Sequence, residues 1–203
     1  MVIGLTGGIG TGKTQVANIL KELGAAIVNA DLLGHEVYTP DTDGWREVVD
    51  AFGEDVLTPE GEVDRGKLGA LVFSDPKALG RLNAITHPRI YKMVERRIES
   101  LRADGRLQAV VEAALLVEAN WLPLVNEVWV VYATEGRVVR RLEARGGLDE
   151  EAILARIRSQ MPQADRTKYA DVVIDNNGTL EELKERVQNL WNERVLTRKE
   201  SKH

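Results

Sequence analysis

Residues 7–14 read Gly-Gly-Ile-Gly-Thr-Gly-Lys-Thr, which fits the spacing G-x-x-x-x-G-K-[ST]. Such a run can hold a polyphosphate. Phosphate oxygens must approach the main chain closely, where a Cβ is in the way, and the loop needs φ values that glycine tolerates. Successive N–H groups then form an anion nest at a helix start. Gly8, Gly10, Thr11, Gly12, Lys13, Thr14 and Gln15 are the candidate contacts to ATP. Lys13 reaches the β- and γ-phosphates and is therefore also a catalytic candidate, and the Thr14 hydroxyl is placed to ligate Mg²⁺. ATP and Mg²⁺ are the expected cofactors.

A second group with chemical potential is the arginine set Arg137, Arg140, Arg141 and Arg145. Arg137, Arg141 and Arg145 are four apart and share one helical face. That face is either a solvated basic surface or a lid, and beside a phosphate-binding loop the lid is favoured. A mobile lid brings arginines to the transferring phosphoryl group and excludes water. Arg141 and Arg145 are the catalytic candidates here, with Gly146-Gly147 as a hinge. Glu112, ending the apolar run 108–112, is the best candidate for the acid that accompanies such a loop.

These residues need elements to position them. Apolar runs at 2–6, 26–29, 108–112, 127–132 and 171–175 predict five buried parallel strands. Helical patterns lie at 13–23, 31–38, in several stretches over 45–102, at 135–145, from Asp149 onward, and from Thr179 to Trp191. Asp75-Pro76 reads as a cap followed by proline at the first helical position, and Thr179-Leu180-Glu181-Glu182 as a capping box. Strands alternating with helices give an α/β fold with a parallel sheet. Residues 1–30 and 106–194 form the core sheet, about 31–105 a helical insertion, about 134–160 the lid, and 195–203 a polar, frayed tail.

Composition narrows the function classes. A chain of 203 residues suits one domain of ordinary size. The net charge of −5 argues against nucleic acid. The absence of cysteine excludes disulfides, thiolate chemistry and cysteine zinc sites, and three histidines, one of them His203, argue against a His-rich metal site. No apolar run approaches a membrane span, and the first residues lack the features of a secretion signal, so a cytoplasmic protein is expected. A monomer is expected, with weak self-association left open. A GTPase would carry Asn-Lys-x-Asp, which is absent. Asp41-Thr42-Asp43-Gly44 fits D-x-x-G but follows no apolar strand, so it reads as a turn. A small-molecule kinase is favoured. A nucleotide-binding regulatory module without turnover is the alternative from another class.

Several separated segments, spanning about 2–191, resemble the dephospho-CoA kinase family. They are Ile3 through Lys13, Asn29-Ala30-Asp31, Leu71-Val72-Phe73, Ile85-Thr86-His87-Pro88, Leu115-Leu116-Val117-Glu118, Arg156-Ile157-Arg158-Ser159-Gln160, and Ala170 through Gly178. Three departures are visible. Thr14-Gln15 stands where the family usually has Ser-Thr, Asn29 where Asp is common, and Ala114 and Val117 where Pro and Phe are usual, which makes that loop less rigid. The resemblance implies a P-loop kinase fold with sheet order 2-3-1-4-5, an acceptor-binding helical insertion and a lid. It implies transfer of the ATP γ-phosphate to the ribose 3′-hydroxyl of 3′-dephospho-CoA. It assigns Asp31 to orienting and deprotonating that hydroxyl, the alternative being a helix N-cap. His87, extended before Pro88 at a helix start, contacts the acceptor's phosphate or serves packing. Leu115 and Glu118 line the acceptor pocket, the alternative for Glu118 being the surface. Glu112 holds Mg²⁺ through water or is a structural carboxylate. Asn176 and Asn177 surround adenine or form a turn before the last helix.

Overall fold

The computed structural model describes residues 1–147 and 149–197. Five strands, β1 (Val2–Thr6), β2 (Ala26–Asn29), β3 (Ala109–Glu112), β4 (Glu127–Tyr132) and β5 (Val172–Asp175), form one parallel sheet in the order β2-β3-β1-β4-β5. The predicted strands 108–112 and 171–175 each begin one residue later than expected. β1 is fully buried between β3 and β4, with Leu5 paired to Glu112 on one side and Trp129 on the other. β5 lies at an edge and alternates buried with exposed residues.

The chain divides into two compact units: residues 1–29 with 98–203, and residues 30–97. The first holds the sheet. Its helices are α1 (Lys13–Glu22), α6 (Glu135–Arg145), α7 (Glu150–Arg158), the short α8 (Gln163–Arg166) and α9 (Leu180–Trp191). Val16, Ala17, Ile19 and Leu20 recur at helical spacing on α1 and are buried with Ile3, Leu5 and Trp129 of the sheet and Leu183, Val187 and Trp191 of α9. Thr179 caps α9 by the predicted capping box, accepting from Glu182 N at 3.2 Å while Glu182 accepts from Thr179 N at 2.7 Å. Asp149 caps α7 by accepting from Ala152 N at 2.8 Å. A second cluster joins Ala133, Val138, Val139, Leu142 and Ile153, so α6 and α7 are seated on buried apolar side chains.

The expectation of a frayed tail from residue 195 onward fails for 195–197. A π-helix covers Asn192–Leu196, and Val195 is buried in the core with Trp191. The polar sequence hides one apolar side chain that the helix geometry turns inward. Residues 198–203 of the expected tail lie outside the described residues.

The second unit carries α2 (Ala30–Glu36), α3 (Asp43–Phe52), α4 (Arg65–Ser74) and most of α5 (Pro76–Ala103). Val48, Val56, Leu68, Val72 and Ala78 form its core. α5 starts at Pro76, as the Asp75-Pro76 pair predicts, and Asp75 accepts from Lys77 N at 2.8 Å. Two expectations are corrected here. Asp41-Thr42-Asp43-Gly44 is no simple turn: Thr42 is the N-cap of α3 and accepts from Trp45 N at 3.1 Å. His87 and Pro88 do not open a helix but lie inside α5. Pro88 has no N–H for the carbonyl of Ala84, and an interior proline costs about 3 kcal/mol. Burial of Ile90, Val94 and Ile98 further along the same helix offsets that cost.

Candidate active site

The phosphate loop joins β1 to α1 at the carboxyl end of the sheet. Gly12 caps α1 with φ 99° and ψ 26°, a left-handed conformation, and makes no side-chain cap. A Cβ here would stand 2.2 Å from Asn176 Nδ2, so both backbone and surroundings require glycine. The first turn of α1 holds no acidic residue, which leaves the positive helix end for an anion. Inside the loop, Thr11 is 1% exposed and its hydroxyl donates to Gly8 O at 2.9 Å. Lys13 Nζ donates to Gly7 O at 2.9 Å and Gly8 O at 3.4 Å, which folds its ammonium over the loop.

Side chains remote in sequence fasten this loop. Asn176 is buried, and its Nδ2 donates to Thr11 O at 2.7 Å. Arg141 Nη1 donates to the same carbonyl at 3.3 Å, and its Nη2 to Asn176 O at 2.7 Å. Gln160 Oε1 accepts from Ile9 N at 2.8 Å. Asn177 Oδ1 accepts from Thr134 N at 2.8 Å, tying the end of β5 to the start of α6. Of the predicted arginines, Arg141 is half-buried and bound to the loop already, while Arg137 and Arg145 are exposed. Burial, then the charges of Arg137 and Arg145, lower the pKa of Arg141, but the guanidinium stays protonated near neutral pH.

At the end of β3, Glu112 is 4% exposed. Its Oε1 accepts from Thr14 Oγ1 at 2.7 Å and its Oε2 from Asn29 Nδ2 at 2.9 Å. Asn29, where an Asp is usual in the resembling family, thus donates an amide to this carboxylate instead of adding a second negative charge. Among the described residues no three His, Asp or Glu side chains gather as a metal cage. A hydroxyl beside one carboxylate fits Mg²⁺, which prefers few protein oxygens together with phosphates and water. Gln15 is exposed on the first turn of α1.

The turn after β3 carries Leu115, 36% exposed, and Glu118. Leu116 and Val117 are buried, Ala119 N donates to Leu115 O at 2.8 Å, and Trp121 N to Leu116 O at 3.0 Å. Glu118 is paired with Arg166 at 2.7 Å. Sequence reasoning missed Arg166, which is 1% exposed, and nothing in its local pattern distinguishes it from the other arginines. It also missed the contact of Gln160 with Ile9. A cavity of about 550 Å³ opens beside the loop, bordered by Gly8, Ile9, Thr134, Ile157, Gln160 and Arg166. In the other unit, Asp31 is exposed in the first turn of α2, inside the helix rather than at its cap, and His87 lies mid-way along α5.

A parallel sheet of order 2-3-1-4-5 with G-x-x-x-x-G-K-T at the end of its central strand defines a P-loop kinase. Shikimate kinase from Acinetobacter baumannii shares this fold with a TM-score of 0.54 at 18% identity, over 98% of this chain and 94% of that one. The family model for dephospho-CoA kinase matches residues 1–182, and the chain belongs to that family. The dephospho-CoA kinase of Geobacter sulfurreducens is 47% identical over 95% of this chain and 98% of its own. That of Carboxydothermus hydrogenoformans is 45% identical over 92% and 90%. The solved dephospho-CoA kinase from Campylobacter jejuni matches with a TM-score of 0.69 at 25% identity, over 95% and 96% of the two chains. The chain therefore transfers the γ-phosphate of ATP to the ribose 3′-hydroxyl of dephospho-CoA, giving ADP and coenzyme A, the last step of coenzyme A synthesis.

Proposed function

We propose a division of this transfer among the residues of the site. The loop amides and the α1 N-terminus, with Gly8, Gly10, Thr11, Gly12, Lys13, Thr14 and Gln15, hold the ATP phosphates. Lys13 leaves the loop carbonyls to meet the β- and γ-oxygens, where its charge stabilises the transferring group. Asp31 orients the 3′-hydroxyl and takes its proton as the new O–P bond forms and the bond to the ADP oxygen breaks. Thr14, together with Glu112 through water, holds Mg²⁺, and that ion neutralises charge on the β- and γ-phosphates when bound. Arg141 and Arg145 face the phosphoryl group from the 134–160 segment, which acts as the lid. Asn176 and Asn177 serve ATP by fixing the loop and the start of α6. His87, Leu115 and Glu118 contact the acceptor, and the helical insertion of about 31–105 binds it. The protein works as a cytoplasmic monomer.

The observation that carries this reading is the Thr14–Glu112–Asn29 hydrogen-bond chain, which joins the second residue of α1, directly after Lys13, to the carboxyl ends of β3 and β2. A hydroxyl, a carboxylate and a cation in that arrangement suit a phosphate-bound metal. The test is to mix the protein with Mg-ATP and dephospho-CoA and weigh the product, with Lys13→Ala beside it. Coenzyme A from the native chain and turnover lowered by orders of magnitude in folded Lys13→Ala support the assignment. Native-like turnover in that variant refutes the role of Lys13.

A further inference from the structure

Arg166 is nearly inaccessible to solvent, and its guanidinium touches three segments at once. Nη1 donates to Ala114 O at 2.7 Å and to Thr6 Oγ1 at 3.1 Å, and Nη2 donates to Glu118 Oε1 at 2.7 Å. Ala114 and Glu118 are the two ends of the turn after β3. Thr6 is the last residue of β1, immediately before the phosphate loop. One planar fork therefore holds both ends of the turn and the root of the loop. The turn's internal bonds, from Ala119 to Leu115, Asn120 to Val117 and Trp121 to Leu116, shape it. Ala113 N to Leu5 O at 3.0 Å and Thr6 Oγ1 to Ala114 O at 3.3 Å tie its start to the end of β1. Among the described residues, Arg166 alone joins Glu118 to that point.

We propose that Arg166 is a positioning residue that fixes the acceptor-side turn against the phosphate loop and so sets the affinity for dephospho-CoA. The inference rests on the reading that Leu115 and Glu118 contact the acceptor. It predicts an effect on one substrate only. The loop has other fastenings, Asn176 and Arg141 on Thr11 O and Gln160 on Ile9 N, so loss of the Thr6 contact leaves the ATP cradle in place. The turn loses the cation that grips both its ends, and its binding-competent arrangement becomes a minor population. Apparent acceptor affinity falls by that fraction. A lysine keeps the charge but is a point donor on a flexible stem and cannot bridge Ala114 O, Thr6 and Glu118 as a fork does.

The experiment measures KM for ATP and for dephospho-CoA in Arg166→Lys, Arg166→Met and Leu115→Ala. The expected result is a roughly tenfold rise in the dephospho-CoA KM for Arg166→Lys, a larger rise for Arg166→Met, and an ATP KM within about twofold of native. If the methionine variant does not fold, the lysine variant decides. A purely structural role would lower the melting temperature and the active fraction but leave both KM values unchanged, which overturns the proposal. An equal rise for both substrates overturns it too, since Arg166 would then act on the loop. Should the Arg166 variants keep a native acceptor KM while Leu115→Ala raises it, the inference falls and the turn's place at the acceptor stands. Should all three keep it, both fall.

Discussion

Gly12→Ala should be the most informative substitution in the phosphate loop, because its cost is set by two independent features. The residue sits at φ 99° and ψ 26°, where an alanine carries a strain of about 1–2 kcal/mol. Its Cβ would also stand 2.2 Å from Asn176 Nδ2. That amide must move, and it then gives up its 2.7 Å bond to Thr11 O from a buried site, a loss of about 1–3 kcal/mol. The combined destabilisation is about 3 kcal/mol, which for a chain of this size lowers the melting temperature by about 6–12 °C. A double-mutant cycle separates the terms. Asn176→Ala alone loses the buried bond. In Gly12→Ala/Asn176→Ala the clashing side chain is gone, so the glycine step keeps only the backbone strain. The two substitutions should therefore be less than additive by at least about 1 kcal/mol in thermal or urea unfolding. Nucleotide titration should show weakened ATP binding in both singles. Strict additivity in unfolding would refute the claim that Asn176 is pressed against Gly12.

Asp31→Asn should lower kcat by about 10²–10⁴-fold with little change in ATP KM, read by acceptor-dependent ADP release; normal kcat would remove Asp31 from the chemistry. Arg145→Ala should lower kcat and kcat/KM together with an almost unchanged melting temperature, because Arg145 is exposed, whereas Arg141→Ala should also destabilise the protein, because Arg141 binds Thr11 O and Asn176 O. Hydrogen exchange should show residues 150–160 gaining protection when an ATP analogue and acceptor bind together, and α6 already protected without them. His35 has its pKa lowered from 6.5, chiefly by burial and then by Arg65, with Asp31 opposing. A depressed histidine pKa means stability is present above the unfolded value and is lost as pH falls through the folded one, so the loss of stability as pH falls below 6.5 should be shallower in His35→Gln.

The features legible in the sequence are those that local spacing encodes. The phosphate loop is a run of eight residues, and Gly7, Gly12, Lys13 and Thr14 are each required by the chemistry of their own positions. The caps at Thr179, Asp149 and Asp75-Pro76 bond within three residues, so their partners stand beside them in the sequence. The strands emerge to within a residue because Val and Ile runs between breakers have no other use. The order of those strands is not readable from the runs, and comes from the family resemblance. Fastenings across the fold are illegible. Asn176 meets Thr11 across 165 residues and Arg166 meets Thr6 across 160, and no periodicity links such pairs. Asn176-Asn177 reads as a nucleotide loop or a turn, and neither reading contains its bond to the loop carbonyl. Pro88 misleads for the opposite reason: a sound local rule is outweighed by the apolar side chains that α5 buries on either side of it.

The same packing limits how the lid can move. Val138, Val139 and Leu142 are buried with Ala133 and Ile153, and a Cβ on Gly10 would meet Val138 at 2.8 Å. α6 therefore rests directly on the phosphate loop. Lifting it from the sheet would expose three aliphatic side chains at about 1.5–3 kcal/mol each and release the Arg141 and Asn177 bonds as well. A displacement costing this much would be too rare to serve a catalytic cycle, which works with minor states a few kcal/mol above the ground state. α6 would thus be the fixed end of the proposed 134–160 lid, with Arg141 already bound to the loop. The moving part of the proposed lid would then be its α7 end, on the far side of Gly146-Gly147. That helix shares the cluster through Ile153, with Leu154, Ile157 and Ile9 of the loop packed against it, and it leads into Gln160, whose Oε1 accepts from Ile9 N. Closure of the proposed lid would then leave the α6 end and the phosphate site preorganised and move chiefly the entrance.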